Sequence, residues 1–182
     1  MSSIFTLVHV LGLVALGFSG LMTSCLATSY FNHDGATQAF LDSTVIAFCV
    51  GTVMFLSTYK TQKKISRQAG FLLVALTWSL SPMLCTLPLI IFMPNLSLVD
   101  AYFETMSGLT TTGATVLSGL DNLPMSINLW RHELNWIAGM GIIIFAVAIL
   151  PILGIGGMQL YKAETPGSVK ESDLPPRIAQ TA

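Results

Sequence analysis

The run Thr110-Thr111-Thr112-Gly113-Ala114-Thr115 is the stretch whose residue types can do chemistry. It is small and polar, and no charged residue falls between Glu104 and Asp121. Such a run offers backbone carbonyls and hydroxyls, the groups that replace a cation's hydration shell without adding formal charge. Gly113 admits backbone dihedrals closed to other residues. The elements around it must hold it in place. It lies within Leu98–Ser118, between the apolar runs Phe71–Met93 and Trp136–Ile155. The residues before it suit a helix of about three turns, roughly 16 Å long. That is half a hydrocarbon core, so the segment is expected to dip into a membrane and return. Non-helical backbone survives at membrane depth only inside protein or along a water-filled path. The pattern reads as a cation pore loop. Its rival, a Thr/Gly-rich outer turn, fits poorly with the short amphipathic helix, the flanking apolar runs and the missing charge.

Composition sets the same scene. Hydrophobic residues make up 53% of the 182 residues and charged residues 9%, with mean hydropathy +0.72. Soluble domains average about 25% charged residues, so a membrane protein is expected. There is room for about four spanning helices and one re-entrant loop. The net charge of −1 selects no partner. Cys25, Cys49 and Cys85 are odd in number and lie in apolar runs, which reads as packing rather than a disulfide framework.

Taken in order, Ile4–Tyr30 is uncharged and long enough to span. It lacks a basic start and is too long for a cleaved signal, so its retention is expected. His9 reads as an interfacial histidine ahead of a ligand or proton relay. Asn32-His33-Asp34-Gly35 reads as a turn, and His33 with Asp34 does not make a metal site. A second run, Phe40–Tyr59, carries Asp42 near its start, where the helix dipole favours an acid. Lys60, Lys63, Lys64 and Arg67 then cluster between two runs. By the positive-inside rule that loop is cytoplasmic, and a nucleic-acid role for it is rejected.

The third run, Ala69–Met93, contains Pro82 and Pro88, expected to kink a helix rather than end it. Ser97 three before Asp100 reads as a capping box. Gly119–Trp130 is placed along the outer face, with Arg131-His132-Glu133 at the mouth of the last span. Gly139 and Gly141 suit close helix packing, and Pro151, Gly154, Gly156 and Gly157 loosen the span's inner end. Lys162, Lys170 and Arg177 in the polar tail join the basic loop on one side, with Arg131 alone on the other. Tyr30, Trp130 and Trp136 fall near outer ends, Tyr59 and Tyr161 near inner ones, as interfacial belts would place them. Both termini are therefore expected in the cytoplasm.

The fold class expected is an all-α polytopic membrane protein. Residues 1–59 give two N-terminal transmembrane helices and 60–68 a basic cytoplasmic loop. Residues 69–157 give a helix–pore loop–helix repeat with filter strand 110–115, and 158–182 a polar tail. Glu104, alone in mid-helix, either lends negative potential to an ion path or is tied to a backbone or basic partner, the second being favoured. An intramembrane enzyme is rejected, because His9, Asp42, Glu104 and the cysteines show no catalytic or ligand-like spacing.

The run from Phe103 to Thr115 (FETMSGLTTTGAT) resembles the first pore loop of bacterial Trk-type potassium uptake proteins, within the Trk/Ktr/HKT superfamily. The stretch from Trp136 (WIAGMGIIIFAVAILPILGIGGMQLYKAETPG) is similar to the second membrane helix of the same repeat and the segment after it. The resemblance implies a potassium-translocating subunit of the bacterial inner membrane, with K+ as cargo. Channel-like passage and proton- or sodium-coupled symport both stay open. It maps the signature glycine of the selectivity filter to Gly113. The ion-coordinating carbonyls map to Thr111 and Thr112, with Thr110 and Gly113 as neighbours. It further implies membrane lipid as surroundings, a homodimer of the full-length protein and a cytoplasmic nucleotide-binding regulatory subunit. Family members surround one pore with four repeats, and this chain has one. It is therefore expected to be the N-terminal part of a longer transporter, with a non-conducting scaffold as the alternative.

Overall fold

The computed structural model describes the backbone of residues 2–59 and 67–152, and the side chains of 4–59 and 68–141. The basic loop from Lys60 and the tail with Gly154, Gly156, Gly157 and Tyr161 lie outside the described residues. All regular structure among the described residues is helical. The helices are α1 (Ser2–Asn32), α2 (Thr37–Thr58), α3 (Arg67–Cys85), α4 (Leu87–Phe92), α5 (Leu98–Leu109) and α6 (Met125–Ile152). A 3₁₀ turn, Leu120–Asn122, precedes α6. The described residues up to 140 belong to one compact unit, and residues 141–152, the end of α6, to a second.

Among the described residues, three stretches are long and apolar enough to cross a membrane: Ile4–Asn32, Thr37–Thr58 and Gln68–Phe92. In α1 the residues Leu7, Leu11, Ala15, Phe18, Met22, Cys25 and Ser29 are buried. Steps of three and four make one face of a helix, the spacing of a left-handed helix pair. The facing stripe on α2 is Phe40, Ser43, Ala47 and Gly51. The helices touch closely at Gly12 and Gly51. A Cβ on Gly12 would lie 2.9 Å from the Phe55 backbone nitrogen, and one on Gly51 2.9 Å from that of Leu16. Outward residues such as Leu13, Val45, Phe48 and Val53 are apolar and exposed, as lipid-facing or protein-covered surfaces require. His9 is buried against α2. It stacks on Phe55 with ring centroids 4.5 Å apart and hydrogen-bonds Thr58 Oγ1 at 3.1 Å.

The turn between α1 and α2 uses left-handed His33 (φ 51°) and Gly35 (φ 86°). Asp34 organises it. One carboxylate oxygen takes hydrogen bonds from the Ser29 hydroxyl and, at 3.2 Å, from the Ala36 N–H. The other accepts the Ser126 N–H of α6 at 2.9 Å. Asp42, in the second turn of α2, is held by Gln38 at 2.8 Å rather than by the helix end.

Pro82 sits inside α3, as expected of a tolerated kink. The chain breaks at Thr86, just before Pro88, where α4 begins with its proline in the first turn. The freed Cys85 carbonyl accepts the indole N–H of Trp130 at 3.1 Å, and Trp130 is fully buried. Ser97 caps α5 by accepting the Asp100 N–H at 3.1 Å, and its hydroxyl donates to the Asp100 carboxylate at 2.7 Å. Helix α6 starts at Met125, so Arg131, His132 and Glu133 lie in its second and third turns.

Candidate functional site

The site is the loop that leaves α5 and the two helices that hold it. Helix α5 docks on α3 through Tyr102, whose hydroxyl donates to the Ser79 carbonyl at 3.2 Å, and Thr105, which donates to that of Pro82 at 3.1 Å. It meets α6 at Gly108. A Cβ there would lie 3.1 Å from the Leu134 Cβ, so only glycine allows this approach without displacement. One turn before Gly108 stands Glu104, and about one turn before Leu134 stands Arg131. Their closeness follows from that crossing.

Glu104 is 4% exposed. Its Oε1 accepts from Arg131 Nε at 2.7 Å. Thr115 Oγ1 lies 3.0 and 2.9 Å from the two carboxylate oxygens, and the Val116 N–H donates to Oε2 at 3.1 Å. The carboxylate is thus tied to both a basic and a backbone partner, which is its structural role. A buried charge is tolerable only when paired and hydrogen-bonded. Arg131 was readable only as an outer-side cation. The signal for its role was elimination, because it is the sole Lys or Arg between Arg67 and Lys162.

The loop is pinned at further points. Thr110, Thr111 and Thr112 donate their N–H groups to the carbonyls of Met106, Gly108 and Ser107 at 2.8, 3.0 and 2.9 Å. The Ser107 hydroxyl donates to the Ala114 carbonyl at 2.6 Å, and the Thr110 and Thr112 hydroxyls meet at 2.8 Å. Among the described residues, the carbonyls of Thr110, Thr111, Thr112 and Gly113 accept no hydrogen bond. Thr111 (φ 56°) and Gly113 (φ 72°) are left-handed, with Thr112 between them not so. A threonine in that region is unusual and costs strain. Thr111 through Val116 are exposed on this chain.

Two openings flank the loop. A cleft of about 460 Å³ has Gly113, Asp121, Asn128, His132 and Asn135 among its walls. A pocket of about 30 Å³ lies between the loop, Glu104, Arg131 and Asn135. His132 Nδ1 donates to the Asn128 carbonyl at 2.6 Å. Glu133 accepts from the Ser24 hydroxyl and from Cys25 Sγ at 3.5 Å.

Apolar helices long enough to span, around a polar loop with unpaired carbonyls, define a multi-pass membrane protein. The family profile described as "TrkH: Cation transport protein" matches residues 36–182, and the chain belongs to that family. It is 46% identical over 175 residues to the Trk system potassium uptake protein TrkH of Escherichia coli K12, covering 96% of this chain and 36% of that one. The TrkH of Halomonas elongata is 44% identical over 181 residues, covering 99% of this chain and 38% of that one. Among solved structures, the potassium transporter TrkH from Vibrio parahaemolyticus superposes with a TM-score of 0.79 at 37% identity, covering 88% of this chain and 36% of that chain. The chain thus spans little more than a third of the length of these relatives.

Proposed function

We propose that this chain supplies a potassium-coordinating pore loop of a Trk-type uptake protein in the bacterial inner membrane. On this reading α1 and α2 precede a helix–pore loop–helix repeat formed by α3–α4, α5 with its loop, and α6. The carbonyls of Thr110, Thr111, Thr112 and Gly113 take the place of water around K+. The observation that carries the reading is that run of carbonyls without hydrogen-bond partners, on a strand clamped from behind by Glu104 and Ser107. Unpaired backbone oxygens at membrane depth need a partner, and an ion is one. Alternating backbone hand at 111 and 113 removes the up-down alternation of an ordinary strand, so successive carbonyls can share a side. The relatives' potassium uptake supports the choice of ion. Cytoplasmic termini, dimerisation and a nucleotide-binding regulatory subunit belong to the same reading through the family resemblance.

The test is rubidium tracer uptake by potassium-uptake-deficient bacteria expressing the transporter that contains this chain, with Gly113→Asp as the variant. No heavy atom lies within 4 Å of a Cβ at Gly113, so added bulk meets no wall. The penalty is the left-handed φ, worth about 1–2 kcal/mol, and the charge placed at the carbonyls. Uptake or potassium-over-sodium preference is expected to collapse while the protein still inserts. A variant with unchanged preference would refute the filter assignment.

A further inference from the structure

The 30 Å³ pocket behind the loop is more polar than apolar. Its walls include Glu104, Ser107, Gly113, Ala114, Arg131 and Asn135. Among the described residues, the backbone N–H groups of Gly113 and Ala114 donate to no acceptor, and the Asn135 side-chain amide makes no hydrogen bond. Asn135 is half-buried on the face of α6 that carries Arg131 one turn earlier. Gly113 and Ala114 are exposed on this chain, so these N–H groups take their acceptor from solvent, and the small polar cavity beside them is a place to hold it. A water needs about 10–15 Å³ of such space and two to four polar partners, and apolar cavities by contrast stay dry.

We propose that the pocket binds one ordered water that fixes the backbone at Gly113, and that Asn135 keeps its wall polar enough for water to stay. The water accepts from the loop N–H groups and donates to the Glu104 carboxylate or the Asn135 amide oxygen. It completes the clamp where direct bonds stop, between the Thr112–Ser107 bond and the Ser107–Ala114 bond. The proposal rests on the filter reading for its effect on ion choice, but not for the water itself.

The experiment is an electron cryo-microscopy map of the intact transporter at a resolution that shows waters, with uptake of rubidium against sodium, for wild type, Asn135→Ala and Asn135→Leu. Alanine leaves room for a second water in place of the amide; leucine fills the space with an apolar group. Expected are density in wild type and the alanine variant, none in the leucine variant, and an about tenfold loss of discrimination in leucine only, the equivalent of one net hydrogen bond. If Asn135 merely packs, the order reverses, because alanine leaves a void and leucine fills it. That reversal, or a wild-type pocket without density, overturns the proposal even if the leucine variant fails to fold. The two readings fail separately. Ordered water with a discrimination insensitive to Gly113→Asp removes the filter assignment alone. A sensitive Gly113 with a harmless leucine at 135 removes the water's role alone.

Discussion

Glu104→Gln tests the clamp most directly, because the amide keeps the shape and removes the charge. The wild-type carboxylate serves three donors: Arg131 at 2.7 Å, Thr115 at 2.9–3.0 Å and Val116 at 3.1 Å. The glutamine has one oxygen acceptor, and its NH₂ faces a donor wherever it points. Removing one partner of a buried ion pair costs about 3–5 kcal/mol. The Arg131 side chain is 17% exposed and one acceptor survives, so about 2–3 kcal/mol is expected here. The assay is hydrogen exchange at the Val116 amide, which donates to the carboxylate itself. At about 1.4 kcal/mol per factor of ten, that amide should exchange roughly 30- to 150-fold faster.

A double-mutant cycle separates pairing from general loosening. Arg131→Gln alone leaves Glu104 buried with its charge unpaired. Combining it with Glu104→Gln leaves two neutral amides able to bond each other. The double variant should therefore lose less than the sum of the singles, with a coupling of at least about 1 kcal/mol. Additive effects, or a Val116 amide as protected as in wild type, would refute the clamp.

Two more outcomes follow from the α1–α2 pair. Gly51→Leu drives a side chain into the Leu16 backbone at 2.9 Å and should cost about 1–3 kcal/mol, read as a lower melting temperature; an unchanged melting temperature would mean that the helices are not in close contact there. Partial burial alone would raise the pKa of Asp34, but the bonds from Ser29, Ser126 and Ala36 outweigh it and hold the carboxyl below the usual carboxylate range. A depressed folded-state pKa stabilises fully above the unfolded value of about 4 and is lost as pH falls through the folded one. Acidification below about pH 4 should thus lower the wild-type melting temperature more steeply than that of Asp34→Asn, and parallel slopes would sink the assignment.

Much of this was legible because a membrane simplifies the code. The first three apolar runs became helices close to their expected bounds, and the Ser97–Asp100 cap fell where the motif put it. The misses concern contacts between distant segments. The reading of His9 did not foresee its packing against Phe55 and Thr58, about fifty residues away, which buries it. Helix α6 begins ahead of the apolar run at Trp136, because Met125–Trp130 fold against the α1–α2 turn and the α3–α4 break. Local hydropathy carries no trace of either. The break at Thr86 likewise needed the Trp130 indole to take up a freed carbonyl.

The polar loop divides along the same line. Its chemistry is local, so six consecutive residues were enough to single out Thr110–Thr115 as the loop on which the proposed function rests. Its support is not local. Glu104, Thr115, Val116 and Arg131 converge only because Gly108 lets α5 and α6 approach at Leu134. The loop is tied down through Thr110, Thr111, Thr112, the Ala114 carbonyl, Thr115 and Val116, while residues 111–116 remain exposed. On the proposed reading, a loop so fastened would hold its free carbonyls in place before an ion arrives, and preorganisation of this kind spares the cost of ordering them during binding. One such strand walls one side of an ion, whose shell needs oxygens all round. On the proposed reading the remaining walls come from other polypeptide, packed on the exposed face of 111–116 rather than on the Glu104 side.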